Sequence, residues 1–176
     1  MNKLTKQIVL VVVSFIILFS IPIYSIVVHN DVLKNGEEFL FKVETYDPYD
    51  MFRGNYLNIR FQEDSVRKEY EDSIYNDSGF EAYFTIKEDG DGFAYFDNMS
   101  TTKPKDTTDY FKGFYHEYAN QIKTPTRYYM NENKSFNAED IYFENIDNTY
   151  VKVRVKNGKM VIVGIYVNGE LIDSIV

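Results

Sequence analysis

Hydrophobic positions fall into three patterns along this chain. Ile8 to Val28 is one apolar run of 21 residues without a charge, and about 20 helical residues cross the hydrocarbon core of a bilayer. Beyond it, apolar and polar residues alternate. Phe39, Phe41 and Val43 alternate with Leu40, Lys42 and Glu44, and Leu57, Ile59 and Phe61 alternate with Tyr56, Asn58 and Arg60. A period of two predicts a strand in each segment. Ala82–Glu88 and Phe93–Asp97 flank Asp89-Gly90-Asp91-Gly92, where two Asp-Gly pairs offer the positive φ of a tight hairpin. The aromatic stretch 110–118 and the short stretch 126–130 are also read as β. Residues 150–155, 160–167 and 170–175 are predicted as three strands joined by Asn157-Gly158 and Asn168-Gly169 into a meander. Helical spacing comes third: Val66, Tyr70 and Ile74 behind an Asp64 cap, and Asn137–Glu144 after Ser135 with an acidic first turn.

These elements predict an α+β fold. A mainly antiparallel β domain of seven to nine strands, compact or closed part-way into a barrel, carries two short helices and follows one N-terminal transmembrane helix. Its divisions are a cytoplasmic N-terminus at 1–7, a signal-anchor helix at 8–28, a juxtamembrane segment at 29–37 and an extracytoplasmic domain at 38–176. Lys3 and Lys6 precede the run while His29, Asn30 and Asp31 follow it, which puts the N-terminus inside and the domain outside. Cleavage by signal peptidase is the competing reading. It lacks a small-x-small motif in Pro22-Ile23-Tyr24-Ser25-Ile26, so the anchor is expected to stay.

Composition narrows the chemistry. Behind the span stand 17 basic and 27 acidic residues, a net charge of −10. That summed negative potential repels nucleic acid and disfavours tight docking on anionic lipid headgroups. The chain has no cysteine, which removes disulfides, thiolate catalysis and thiolate metal sites. His29 and His116 are the only histidines, too few for a multi-histidine metal site within one chain. Asp89 and Asp91 have the alternate spacing of calcium ligands, but the third ligand and the closing Glu of an EF-hand loop are missing, and a hairpin turn is the simpler reading. Ser65 near Lys68 and Ser135 beside Lys134 have the residue types of a Ser/Lys dyad, without a setting that would lower a lysine pKa. The 16 Tyr and 14 Phe suit a β core first and a ligand platform second.

The stretch Asp47-Pro48-Tyr49-Asp50-Met51-Phe52-Arg53-Gly54-Asn55-Tyr56-Leu57-Asn58-Ile59-Arg60-Phe61 resembles the signature of the GDYXXLXY family, a D-P-x-D-x-x-R run leading into G-D-Y-x-x-L-x-Y. Gly54 and Tyr56 match outright, while Asn55, Ile59 and Phe61 replace Asp, Leu and Tyr. Arg127-Tyr-Tyr-Met-Asn-Glu132, Glu139 and the segment 151–164 also resemble the family's second half. The resemblance implies a membrane-anchored bacterial protein of undetermined activity, often encoded beside a polytopic membrane protein, and it supplies no catalytic residues. Asn55 removes the signature carboxylate, which weakens any metal or general-base role at that position.

Asp47, Asp50, Arg53, Gly54, Asn55 and Tyr56 are therefore the candidate partner-binding or loop-organising residues. Turn architecture alone accounts for Asp47 before Pro48 and for Asp50 three residues before Arg53. Catalytic, cofactor and metal residues are all read as none. The leading function is a non-enzymatic accessory domain in the cell membrane that docks on a polytopic membrane partner. Two alternatives are an envelope-glycan or small-ligand binding module and a membrane-bound hydrolase. An exposed aromatic patch facing away from the membrane would favour glycan; one beside the anchor would favour a membrane partner.

Overall fold

The structure is a computed structural model that describes residues 3–44, 56–62, 64, 79–116 and 119–176. The helix expected over Val66–Ile74 lies outside these residues, as does the stretch 45–55.

The apolar run forms helix α1, Lys3–Asn35. At 1.5 Å per residue its 33 residues extend about 50 Å, longer than the 30 Å hydrocarbon layer. Side chains from Ile8 to Val27 are exposed, and the helix is long and apolar enough to cross a membrane. The helix continues past Val28 to Asn35, so most of segment 29–37 is helical. Gly36 ends it, its amide donating to the Val32 carbonyl at 2.8 Å. Val32 itself is only 2% exposed, because the last two turns pack on the β domain.

Eleven strands are found among the described residues: β1 Glu37–Glu44, β2 Tyr56–Asn58, β3 Arg60–Phe61, β4 Phe80–Glu88, β5 Ala94–Ser100, β6 Tyr110–His116, β7 Gln121–Lys123, β8 Arg127–Tyr129, β9 Thr149–Lys156, β10 Lys159–Val167 and β11 Glu170–Leu171. The number exceeds the expected seven to nine because one predicted strand divides and short pieces such as β7 add to it. All strand pairs are antiparallel, in a five-stranded sheet β11-β10-β9-β1-β3, a four-stranded sheet β5-β4-β6-β7 and a two-stranded ribbon β2-β8. The result is α+β, with a sheet curled into a half-barrel.

Alternation decides what is buried. Phe39, Phe41 and Val43 face the core from β1, and Val151, Val153 and Val155 face it from β9. The sheets meet through Phe41, whose ring centroid lies 4.9 Å from Phe61 and 5.3 Å from Phe96 of β5. Phe96 in turn touches Phe84 of β4 and Phe111 of β6, at 5.9 and 6.2 Å. The segment Tyr56–Phe61 changes partners at Ile59: β2 pairs with β8, β3 pairs with β1, and the Ile59 amide donates to Thr126 at 2.7 Å.

The turns follow their chemistry, with one adjustment. Asn157 and Gly158 have φ of 51° and 78°, and Asn168 and Gly169 have 52° and 87°, the doubly left-handed pattern that twisted two-residue hairpins require. Of the two Asp-Gly pairs only Gly92 takes positive φ, at 81°. Asp89 Oδ1 accepts the amides of Asp91 and Phe93 at 3.0 and 2.9 Å, so the carboxylate itself closes the turn.

Two predicted elements are corrected. The second helix, α2, spans Glu132–Glu144 and opens five residues earlier than expected, where the Lys134 amide donates to the Asn131 carbonyl. The third strand of the meander stops after two residues and becomes α3, Ile172–Ile175. Turning there buries Ile172 completely and brings Ile175 and Val176 against the core, which a straight edge strand would not do.

Candidate functional site

Strand direction gives the domain two ends. Glu37 pairs with Val155 and Lys42 with Tyr150, so the start of β1 and the end of β9 lie beside α1, and the other ends of both strands lie away from it. Lys156 and Tyr150 are six residues apart, about 20 Å along β9.

At the near end the last turns of α1 are clamped. Asp31 pairs with Lys156 at 2.8 Å and accepts from Asn35 Nδ2 at 2.7 Å. The Lys156 ammonium, seconded by Asn35, holds the Asp31 carboxyl below its ordinary value of 3.8. Arg154 donates one guanidinium nitrogen to the Leu33 carbonyl and another to Glu38 at 3.2 Å, and so joins the helix to β9 and β1 at once. Lys152 completes the group 2.7 Å from Glu38, and its ammonium is the main reason that the Glu38 carboxyl also lies low.

At the far end stands the only one of the candidate loop residues that is described, Tyr56. Asp47, Asp50, Arg53, Gly54 and Asn55 lie outside the described residues. The described residues on either side of the stretch 45–55, Glu44 and those from Tyr56 onward, are both held in place. Glu44 meets Arg60 at 2.7 Å, and Arg60 also reaches Asp64 at 3.1 Å. Asp64, expected as a helix cap, accepts from Gln121 Nε2 at 2.6 Å and thereby joins β3 to β7. Tyr56 lies opposite Tyr129 across the ribbon, ring centroids 5.6 Å apart, and the Arg127 guanidinium lies over the Tyr56 ring at 4.9 Å. Tyr129 is 67% exposed, the one large hydrophobic side chain outside α1 so exposed among the described residues.

The neighbouring residue is used differently. Tyr128 points to the other side of the ribbon and donates its hydroxyl to Asp173; burial and that carboxylate push its pKa up. Lys134 of the Ser/Lys pair donates to the Asp173 carbonyl at 2.6 Å and so ties α2 to α3. Ser65 and Lys68 lie outside the described residues. Among the described residues no three His, Asp or Glu side chains converge in a way that could hold a metal ion.

The model of the family described as GDYXXLXY protein matches residues 18–165, from Leu18 inside α1 to Ile165 in β10. The chain belongs to the GDYXXLXY family. No curated protein and no solved structure matches it. The family segment thus includes the second half of the apolar helix, the clamp and both strands of the Tyr56–Tyr129 ribbon. Tyr56–Asn58 of the signature and the later Arg127-Tyr-Tyr run, separate in sequence, are two strands of one ribbon.

Sequence reasoning did not single out Arg127, Tyr129 or the clamp residues as functional. The second block of the family resemblance contained the first two. Val28, the last residue of the run, and Val32, one helical turn beyond it, are the signal for the docked turns.

Proposed function

We propose that this chain is a non-enzymatic accessory protein of the cell membrane, N-terminus inside and β domain outside, which docks through its anchor on a polytopic membrane protein. The clamp of Asp31, Arg154, Lys156 and Val32 carries this reading. A domain that needs only to be kept near a membrane is served by a flexible tether. A helix fixed to its domain moves the domain whenever a membrane partner moves or orients the helix. The apolar side chains of Ile8 to Val27, left uncovered by their own domain, supply the lateral surface for that contact.

Purification of the intact protein in mild detergent tests this. A polytopic membrane protein should co-purify in fixed proportion and be lost when exposed span residues such as Phe15 and Leu18 are changed to Ala. Recovery of this chain alone, or of the same partner after those changes, would contradict it. Protease added to intact spheroplasts should digest the β domain; protection would reverse the orientation.

A second reading has its own observation. The far end carries exposed Tyr129 and also a groove of about 550 Å³ lined by Phe93, Tyr150, Lys42, Asp147 and Asn168 among others. Aromatic faces beside amide and carboxylate groups, directed away from the anchor, suit an envelope saccharide. Titration with cell-wall saccharide fragments should shift tyrosine fluorescence, and Tyr129→Ala and Asp147→Ala should weaken the response while changing stability by no more than about 0.5 kcal/mol. A response unchanged by both variants would remove this reading.

A further inference from the structure

We propose that the cleft between α1 and the β9–β10 hairpin binds an anionic glycerophospholipid from the leaflet on the domain's side. The proposal rests on the reading of α1 as a membrane span and is independent of any polytopic partner. Three elements wall the cleft: α1 from Ser25 to Val32, β6 at Phe111 and Lys112, and the hairpin from Gly158 to Val161, around a volume of about 290 Å³. Its chemistry is divided. Val28, Val32, Phe111, Met160 and Val161 are apolar, Lys112, Lys159 and His29 carry nitrogen donors, and no carboxylate is among the lining residues.

Depth matches that division. A hydrocarbon layer of about 30 Å starting at Ile8 ends near Val28 at 1.5 Å per residue. The cleft therefore straddles the boundary, with the Ser25–Val28 part level with acyl chains and the His29–Val32 part level with headgroups. Lys159 Nζ lies 5.9 Å from the centre of the Tyr24 ring, and tyrosine favours this interface. A lysine can lay its methylene stem on apolar surface while its ammonium meets a phosphate. Lys112 shares its ammonium with Glu81 at 2.7 Å, and a lysine has three N–H donors, so donors are left over.

The walls are fixed before any ligand arrives. The Lys112 amide donates to the Gly158 carbonyl at 2.8 Å, and Phe111 bridges to Gly158, sewing β6 to the hairpin tip. The net charge of −10 argues against anionic lipid only if all carboxylates act equally. Screening over about 8 Å at physiological salt makes the lysines that line the cleft outweigh acids on the far end.

The test uses the full chain reconstituted in vesicles of phosphatidylcholine with a minor fraction of phosphatidylglycerol, then extracted in mild detergent for native mass spectrometry. Retained lipid should be enriched in phosphatidylglycerol over the vesicle ratio. Lys112→Gln with Lys159→Gln should lower that enrichment about fivefold or more, and Lys103→Gln with Lys105→Gln should leave it unchanged. Val28→Phe, which fills the apolar half without touching charge, should reduce retention of lipid of either kind. Equal retention of both lipids by the unaltered chain would overturn the proposal. So would enrichment unaffected by the Lys112 and Lys159 changes, an equal loss in the Lys103 and Lys105 control, or full retention with Val28→Phe. Failure of the chain to enter vesicles would overturn both this proposal and the span reading.

Discussion

Asp31, in the last turns of the apolar helix, and Lys156, at the end of β9, form an ion pair at 2.8 Å, 125 positions apart in the chain. With Arg154 holding the Leu33 carbonyl and Val32 buried, the helix enters the domain through charge, hydrogen bond and packing together. Exposed ion pairs contribute little singly. Here the pair orients a helix whose apolar contact is already made.

Acid should loosen this end of the domain first. Asp31 and Glu38 both have carboxyls held below their ordinary values of 3.8 and 4.5, chiefly by Lys156 and Lys152. A depressed folded pKa gives stability that is complete above the unfolded value and is lost as pH falls through the folded one. The melting temperature should therefore decline below pH 4.5, and Asp31→Asn and Glu38→Gln should each flatten that decline. An acid limb of unchanged slope in both variants would exclude these groups as its source.

Gly158 and Gly169 occupy the same position in their turns but should not tolerate alanine equally. At Gly158 a Cβ would meet Tyr110 Cε2 at 2.9 Å and Lys112 Cβ at 3.0 Å, whereas at Gly169 nothing lies within 4 Å. Both pay for a left-handed φ. Urea unfolding should show a loss of about 1 kcal/mol for Gly169→Ala and about 2 kcal/mol or more for Gly158→Ala. Equal losses would mean that β6 does not press on the hairpin tip.

Phe96 joins the sheets. Fully buried and in ring contact with Phe41, Phe84 and Phe111, it should cost about 3–5 kcal/mol when changed to Ala, measured by denaturant unfolding. A loss under about 1 kcal/mol would show that the sheets hold without it.

Local signals carried much of this fold. Phe39, Phe41 and Val43, and Leu57, Ile59 and Phe61, are buried as their alternation predicts, because a strand's two faces are written in neighbouring residues. Asn157-Gly158 and Asn168-Gly169 form the expected turns because positive φ is a property of those residues themselves. What stayed hidden depends on distant partners. The split at Ile59 is made by Thr126, the short β11 by the burial of Ile172, and the docked helix end by β9. The same holds for the candidate site: Tyr56 was legible in the signature, but its partners Arg127 and Tyr129 reach it only through β2–β8 pairing.

Helix and domain move as one body. Because the chain has no cysteine, spin labels can be attached singly at Ile21→Cys in the helix and Glu88→Cys in β4. Pulsed electron resonance on the full chain in nanodiscs should give one narrow distance distribution, broadened when Asp31→Ala, Arg154→Ala and Lys156→Ala are combined. A broad distribution in the chain with its clamp intact would show instead that the β domain hangs from the helix on a hinge.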